Sequence, residues 1–280
     1  MENNYFNIML SLVRDGGEIA LRLIDERRSD LKADSSVITE ADRSISRLTQ
    51  ERLRDLIATG DHVLIDEEDP RRGDYLDEAF LQKTRFVWSV DPIDATRAYA
   101  NRMPQYGISL GLMKDRKPWM GVVYFPSLGE LFCCDGRGAF FVQKAFTDHE
   151  RKTPIVPIDE VITSRSVFIA TDEILTRFEW TERECRAMVF SAAVCEFCWP
   201  AIGRGCGSLS SVHLWDFAGS WPIFERAGLK LRSFEDGHVL DRLEAGLFRK
   251  NDAPWRLKDF YILSSERNYP VLKGLIKRKK

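Results

Sequence analysis

Acidic residues directly follow three apolar stretches of the sequence. They are DEED after HVLI at 62–69, DPID after FVWSV at 86–94, and Asp216 after LW at 214–215. A carboxylate beside a buried strand costs free energy unless a cation neutralises it, and no lysine or arginine is adjacent to these acids in the sequence. Each acid alone is typical of a turn or a helix cap. Together they indicate a metal site, and ligands that are all oxygen favour Mg²⁺ first, then Mn²⁺ or Ca²⁺.

The spacing within DPID suits such a site. Asp91 and Asp94 lie three residues apart in a turn that proline makes rigid, so both carboxylates can converge on one point. The Ile93 carbonyl lies between them, and Thr96 follows with a hydroxyl. Residues 95–100 are expected to begin a helix whose unpaired N–H groups would bind an anion beside the cations. Cations next to an anion site are what phosphate-ester hydrolysis needs.

Two helices are expected before these strands, because apolar residues recur at helical spacing over 8–23 and 45–57. Thr39, three residues before Asp42, is typical of an N-cap and predicts the start of the second helix. Short runs of β-branched and aromatic residues, separated by Gly, Pro and Asp, then predict strands, most of them in an antiparallel meander. These runs are 62–65, 86–90, 108–112, 120–125, 130–134 and 139–142.

The second half alternates strand-like and helical patterns. Runs at 167–170 and 260–263 predict strands, and runs at 187–199 and 217–227 predict helices. The polar stretch at 147–157 contains two prolines and is the expected boundary. The sequence therefore favours a layered α/β or α+β fold. Its halves are expected to be 1–146, which carries most of the acidic motifs, and 147–280, which completes the site.

Composition is that of a globular protein, with 44% hydrophobic residues, 30% charged residues and a formal net charge of −2 over 280 residues. These values exclude disorder as the main state and a strongly basic nucleic-acid footprint. The N-terminus lacks the basic region of a signal peptide, and no apolar stretch is long enough to span a bilayer. The six cysteines lie mostly in apolar runs and indicate buried thiols. We expect a soluble cytoplasmic protein with neither membrane nor nucleic acid as a partner.

Several segments, in order, resemble motifs of the inositol monophosphatase family of Mg²⁺-dependent, often lithium-sensitive phosphatases. They are KADSSVITEAD at 32–42, Glu67-Glu68, DPIDATRAY at 91–99, GVVYFPSLGELFCCDGRG at 121–138 and WDFAG at 215–219. The resemblance implies a layered α-β-α-β-α sandwich, as in inositol monophosphatase and fructose-1,6-bisphosphatase. It also implies a homodimer that hydrolyses a small phosphorylated metabolite.

The resemblance further implies ligands for two Mg²⁺ ions. Glu67, Asp91 and the Ile93 carbonyl would hold one ion, whereas Asp91, Asp94 and Asp216 would hold the second. A charge count agrees with this assignment, because two Mg²⁺ ions cancel the charge of the four carboxylates and a phosphate dianion can then enter. Mn²⁺ is an alternative, and Li⁺ is expected to inhibit.

The remaining roles also come from the resemblance. Glu67 and Thr96 would orient and deprotonate the attacking water, and Asp42 would help to hold a third, weaker metal or its waters. The N–H groups of Ala95 and Thr96 would bind the phosphate. Arg97 and Arg204 are candidate substrate contacts.

Departures from the family pattern leave the substrate open. Ala95 replaces a glycine, which costs free energy if the position requires a positive φ. Leu209 stands where inositol-hydrolysing members have an acid that contacts the ring, so inositol phosphate is disfavoured. The alternatives are a sugar or related phosphate, an adenosine 3′,5′-bisphosphate-type nucleotide and histidinol phosphate. A further alternative is a catalytically weak member that acts as a binding or regulatory protein.

Overall fold

The computed structural model describes residues 2–26, 29–32, 37–181 and 185–279. Residues 33–36 of the KADSSVITEAD segment thus lie outside the described residues. None of the described helices combines the length and the apolar composition needed to cross a bilayer. Within these ranges the helices are α1 Glu2–Leu23, α2 Glu40–Ile57, α3 Glu78–Lys83, α4 Thr96–Ala100, α5 Glu173–Arg177, α6 Ala193–Cys198, α7 Leu214–Ala218, α8 Trp221–Arg226 and α9 Tyr269–Leu275.

The strands of the described residues form two larger sheets and two antiparallel two-stranded sheets. They are β1 Ser29–Leu31, β2 Val37–Thr39, β3 His62–Asp66, β4 Phe86–Asp94, β5 Gly107–Lys114, β6 Lys117–Phe125, β7 Glu130–Cys134, β8 Ala139–Gln143, β9 Arg151–Ile155, β10 Val167–Ala170, β11 Phe178–Trp180, β12 Arg186–Val189, β13 Gly207–Ser210, β14 Lys230–Ser233, β15 Tyr261–Ser264 and β16 Ile276–Arg278. The two-stranded sheets are β1-β2 and β11-β16.

The first sheet has seven strands in the order β3-β4-β5-β6-β7-β8-β9. Only β3 and β4 pair in parallel, and every later neighbour is antiparallel, so the predicted meander is confirmed. Helices α1 and α2 cover one face, where Trp88 is buried, and α6, α7 and α8 cover the other, where Val87 is buried. This alternation follows from the two-residue period of a strand.

The second sheet has five strands in the order β12-β10-β13-β15-β14. Leu263 of β15 packs in the same core as α6, α7 and α8, whereas Ile262 packs on the opposite face with Leu272 of α9. The layers are therefore α-β-α-β-α, and the predicted α+β sandwich is confirmed.

Glycines set the close contact between α7 and the first sheet. A Cβ atom at Gly111 of β5 would lie 2.4 Å from the carbonyl carbon of Ala218, and one at Gly121 of β6 would lie 2.0 Å from the carbonyl oxygen of Gly219. The Ser109 hydroxyl donates a hydrogen bond to the carbonyl of Trp215 at 3.1 Å. These contacts fix the position of α7, and hence of Asp216, over the sheet.

Three predicted elements differ from the structure. The stretch at 147–157 contains the edge strand β9, so the first sheet continues to Ile155 and the link to the second sheet is 156–166. The division into halves remains a prediction. Within the run at 187–199, β12 is a strand and only α6 is helical, because periodicity alone cannot separate short apolar strands from helices. The run at 217–227 falls into two short helices, α7 and α8.

Candidate active site

Three aspartates meet where β4 ends and α7 begins. One carboxylate oxygen each of Asp91, Asp94 and Asp216 lies within 4.8 Å of the others. Asp91 and Asp94 flank an irregularity in the pairing of β4 with β5, and this irregularity lets both carboxylates reach one point. Asp216 accepts a hydrogen bond from the N–H of His213 at 2.7 Å, which fixes its side chain at the start of α7.

Glu67 lies beside this cluster because β3 is the parallel neighbour of β4. Its N–H donates to the carbonyl of Val90 at 3.2 Å, directly before Asp91. Burial raises the pKa of Asp91 well above its ordinary value, and the charge and hydrogen bond of Glu67 raise it further. The structure thus brings together the four carboxylates that the sequence singles out.

A lysine that is distant in the sequence neutralises part of this negative charge. The ammonium of Lys32 lies 2.9 Å from Oε1 of Glu67 and 2.8 Å from Oε1 of Glu68. Burial acts to lower the pKa of Lys32, but attraction to Glu67 and Glu68 outweighs it, so the pKa is raised. The absence of a lysine or arginine adjacent to these acids in the sequence therefore does not leave Glu67 without a cationic partner.

The aspartates themselves have buried oxygens without partners. Among the described residues, neither Oδ1 of Asp91 nor Oδ1 of Asp94 has a hydrogen-bond partner. Burial, followed by the charge of Asp216, raises the pKa of Asp94 well above its ordinary value, although the N–H of Val194 acts to lower it. Buried, unpaired oxygens with no nitrogen or sulfur donor among them fit a hard divalent cation.

The predicted outer residues lie next to the cluster. Thr96 is within hydrogen-bond distance of two oxygens, the Ile93 carbonyl at 3.0 Å and Oδ1 of Asp42 at 3.3 Å. Asp42 is fully buried and accepts hydrogen bonds from the N–H and the hydroxyl of Thr39, which confirms the predicted capping box. Burial raises the pKa of Asp42 to about 7, with Glu67 and Glu68 acting in the same direction.

Ala95 adopts the left-handed conformation that favours glycine, with φ 64° and ψ 47°. An L-residue pays for this conformation with roughly 1–2 kcal/mol. The departure noted in the sequence is therefore a strained position, and it lies directly between Asp94 and the helix α4.

Replacing Ala95 with glycine should raise the free energy of unfolding by about 1 kcal/mol, because relief of strain exceeds the extra freedom of glycine in the unfolded chain. Thermal unfolding should show a rise of about 2–4 °C per kcal/mol. Turnover should rise as well if the methyl group crowds the phosphate. Lys144→Gly is a matched control, since Lys144 also has a positive φ of 52° in an exposed turn. A lower melting temperature for Ala95→Gly would contradict the strain argument.

A cleft of about 1100 Å³ opens from Asp94 and Asp216 and is the space available to a substrate. Arg97 lies on its wall. Arg204 also borders the cleft, but its guanidinium is bound by both oxygens of Glu130, at 2.7 and 2.6 Å. Leu209 is fully buried in the core of the second sheet and does not line the cleft.

One buried acidic residue of the cleft is not part of any motif in the sequence. Glu196 of α6 lines the cleft and is only 2% exposed. Burial raises the pKa of Glu196 to about 8, and the Ser210 hydroxyl acts in the opposite direction. The available signal was a single charged residue inside the apolar run from 188 to 202, since such a residue is costly unless something binds it.

Comparison with known proteins finds a family model, two relatives and a solved structure that match this chain. The model of the inositol monophosphatase family matches residues 2–267. Inositol monophosphatase 2 of Solanum lycopersicum is 28% identical over 243 residues, which cover 85% of this chain and 87% of that protein. The 3′(2′),5′-bisphosphate nucleotidase CysQ of Salmonella typhimurium is 27% identical over 239 residues, which cover 82% of this chain and 90% of that protein. A crystal structure of an IMPase/NADP phosphatase with NADP and Ca²⁺ shares the fold, with a TM-score of 0.76, 18% identity and coverage of 98% and 95%.

Proposed function

Because the chain belongs to the inositol monophosphatase family and is a phosphoric monoester hydrolase, we propose that it hydrolyses a small, polar phosphate ester with the help of Mg²⁺. The observation that carries this proposal is the convergence of Asp91, Asp94 and Asp216, with unpartnered buried oxygens, at one end of a large cleft.

The metal ligands in this proposal are those implied by the resemblance. Glu67, Asp91 and the Ile93 carbonyl would hold one ion, and Asp91, Asp94 and Asp216 a second. Bound Mg²⁺ supplies Lewis-acid stabilisation of the phosphoryl oxygens and activates water at neutral pH. Mn²⁺ can take the same oxygen ligands, while a third ion near Asp42 and inhibition by Li⁺ belong to the same proposal.

The side chains around the cluster would position the water and the phosphate. Glu67 and Thr96 would orient the water and accept its proton. Glu67 is hydrogen-bonded to Asp91, and Thr96 lies within hydrogen-bond distance of Asp42. Asp42 would hold the hydroxyl of Thr96 at 3.3 Å. The N–H groups of Ala95 and Thr96 would bind phosphate oxygens at the start of α4.

Three alternatives keep specific support. A bisphosphate nucleotide is favoured by the position of Arg97 on the cleft wall, where a second phosphate could bind, and by the similarity to the CysQ nucleotidase. Histidinol phosphate remains a candidate substrate that the same arginine could contact, and one relative is a histidinol-phosphatase of Chlorobaculum parvum. A weakly catalytic, binding role is favoured by the strained Ala95. Inositol phosphate is disfavoured because position 209, occupied by leucine, supplies no acidic group to the cleft.

A substrate panel with and without Mg²⁺ tests the proposal. We expect the purified chain to release phosphate from at least one monoester only when Mg²⁺ or Mn²⁺ is present, with EDTA abolishing release. The panel should contain a sugar phosphate, inositol 1-phosphate, adenosine 3′,5′-bisphosphate, histidinol phosphate and p-nitrophenyl phosphate. Hydrolysis that is unaffected by EDTA, or none with any ester, would contradict it. A homodimer and a cytoplasmic location remain predictions.

A further inference from the structure

Glu196 has one carboxylate oxygen that is buried beside the substrate cleft without a partner in the described part of the chain. Its Oε2 atom is buried and has no hydrogen-bond partner among the described residues. The N–H of Val194, two residues earlier, bonds to Asp94, so the turn of α6 that carries Glu196 is tied to the aspartate cluster. The position of Glu196 therefore follows that of the metal ligands.

Trp199 adds an unsatisfied donor one turn later. Its indole Nε1 is also buried without a partner, and the side chain lines the same cleft. The ring of Phe190 packs edge-on against it with centroids 5.0 Å apart, which holds the indole in place. Residues three apart on a helix share a face, so the turn that carries Glu196 and Trp199 has an unpaired acceptor and an unpaired donor in the cleft lining.

No cationic side chain of the described residues neutralises Glu196. Arg204, which follows Glu196 in the sequence and also borders the cleft, forms a salt bridge with Glu130. The Glu196 carboxylate also does not belong to the cluster of three aspartates whose oxygens lie within 4.8 Å of one another. A buried polar group without a partner costs roughly 1–3 kcal/mol, and more if it is charged, so a bound molecule that supplies the partner gains that free energy.

We propose that Glu196 is a specificity-determining residue that accepts a hydrogen bond from the alcohol part of the substrate. This inference rests on the proposed phosphatase function and adds the substrate class. The phosphate ester carries a hydroxyl or amine donor for Glu196 and an acceptor for the indole N–H of Trp199. Esters of simple aliphatic alcohols, which lack both groups, leave these buried atoms unpaired and are poor substrates.

Replacing Glu196 with methionine tests the proposal with esters of matched chain length: an alkyl phosphate, a polyol phosphate and an ω-aminoalkyl phosphate. For each ester, kcat/KM is divided by the value for p-nitrophenyl phosphate. We expect the Glu196→Met variant to lower this ratio about 10-fold or more for a donor-bearing ester, but not for the alkyl ester. Glu196→Gln keeps an acceptor, so it should retain most of the ratio for a hydroxyl donor and lose it for an ammonium donor.

A second α6 variant separates recognition from packing. Cys198 is fully buried in the same helix, and Cys198→Ala should leave the ratios unchanged. Equal losses on all esters, or no loss on any, would overturn the role of Glu196 while p-nitrophenyl phosphate hydrolysis by the wild-type chain still supports a phosphatase. If the wild-type chain hydrolyses no ester with Mg²⁺, the proposed function is wrong and this inference falls with it.

Discussion

Replacing Asp91 with asparagine should reduce phosphate release about 10³-fold or more and, at the same time, stabilise the metal-free protein. Activity falls because Asp91 is the ligand shared by both proposed ions, and metal stabilisation of the phosphoryl oxygens amounts to several kcal/mol. Stability rises because the substitution removes a buried negative charge next to Glu67, Asp94 and Asp216. An ordinary core residue would show the opposite sign of stability change.

The two effects of Asp91→Asn need separate measurements. Turnover is measured with saturating Mg²⁺, and thermal unfolding is measured in EDTA at pH 8, where a gain of 1 kcal/mol corresponds to about 2–4 °C. Asp159→Asn is a matched control, since Asp159 is an exposed partner of Arg267 and should change neither quantity appreciably. Retained activity, or a lower melting temperature in EDTA, would show that Asp91 is not part of a cation site.

The local part of the site could be predicted from the sequence because its residues are neighbours on one strand. Asp91 and Asp94 flank an irregularity in β4, and Thr39 and Asp42 form the expected cap of α2. In both cases spacing alone brings the atoms together. The meander of the first sheet was predictable for a similar reason, because short connections join its successive strands.

The long-range part depends on packing that spacing cannot show. Asp216 reaches the cluster because Gly111 and Gly121 allow α7 to lie against the sheet. The residue pattern grouped Asp216 with the other acids, and the family resemblance assigned it to the ion shared with Asp91 and Asp94. Lys32 and Glu67 are 35 residues apart, and their contact depends on how the chain before α2 returns to β3.

The same limit explains what the sequence could not show about Arg204 and Glu196. Arg204 was a candidate substrate contact, but its salt bridge with Glu130 joins residues 74 positions apart and occupies the guanidinium. Glu196 was visible only as an interruption of an apolar run. The short length of α6 and the strand β12 before it decide whether such a residue faces solvent, a core or a cleft. The sequence pattern predicted one continuous helix over this stretch instead.

Metal-free protein should lose stability as the pH rises from 5 to 8, and Mg²⁺ should remove most of that loss. Burial raises the pKa values of Asp91 and Asp94 above the ordinary value of 3.8, and that of Asp42 to about 7. The folded state therefore binds more protons than the unfolded state, so stability is greatest below the unfolded pKa and falls as the pH rises toward the folded pKa. Asp42 alone contributes about 3 kcal/mol to this fall, because about two pH units separate pH 5 from its folded pKa of about 7, at roughly 1.36 kcal/mol per unit.

Bound Mg²⁺ offsets the loss of folding stability at high pH, because it favours the ionised carboxylates. At about 100 times its dissociation constant, a ligand adds about 2.7 kcal/mol of stability, and this gain should be larger at pH 8 than at pH 5, where protons compete for Asp91 and Asp94. Thermal unfolding across this pH range, in EDTA and in millimolar Mg²⁺, measures both curves. The Asp91→Asn variant should show a flatter EDTA curve and a smaller Mg²⁺ shift. A Mg²⁺ shift that is equal at both pH values would mean that the ion does not bind these carboxylates, since their protons would then not compete with it.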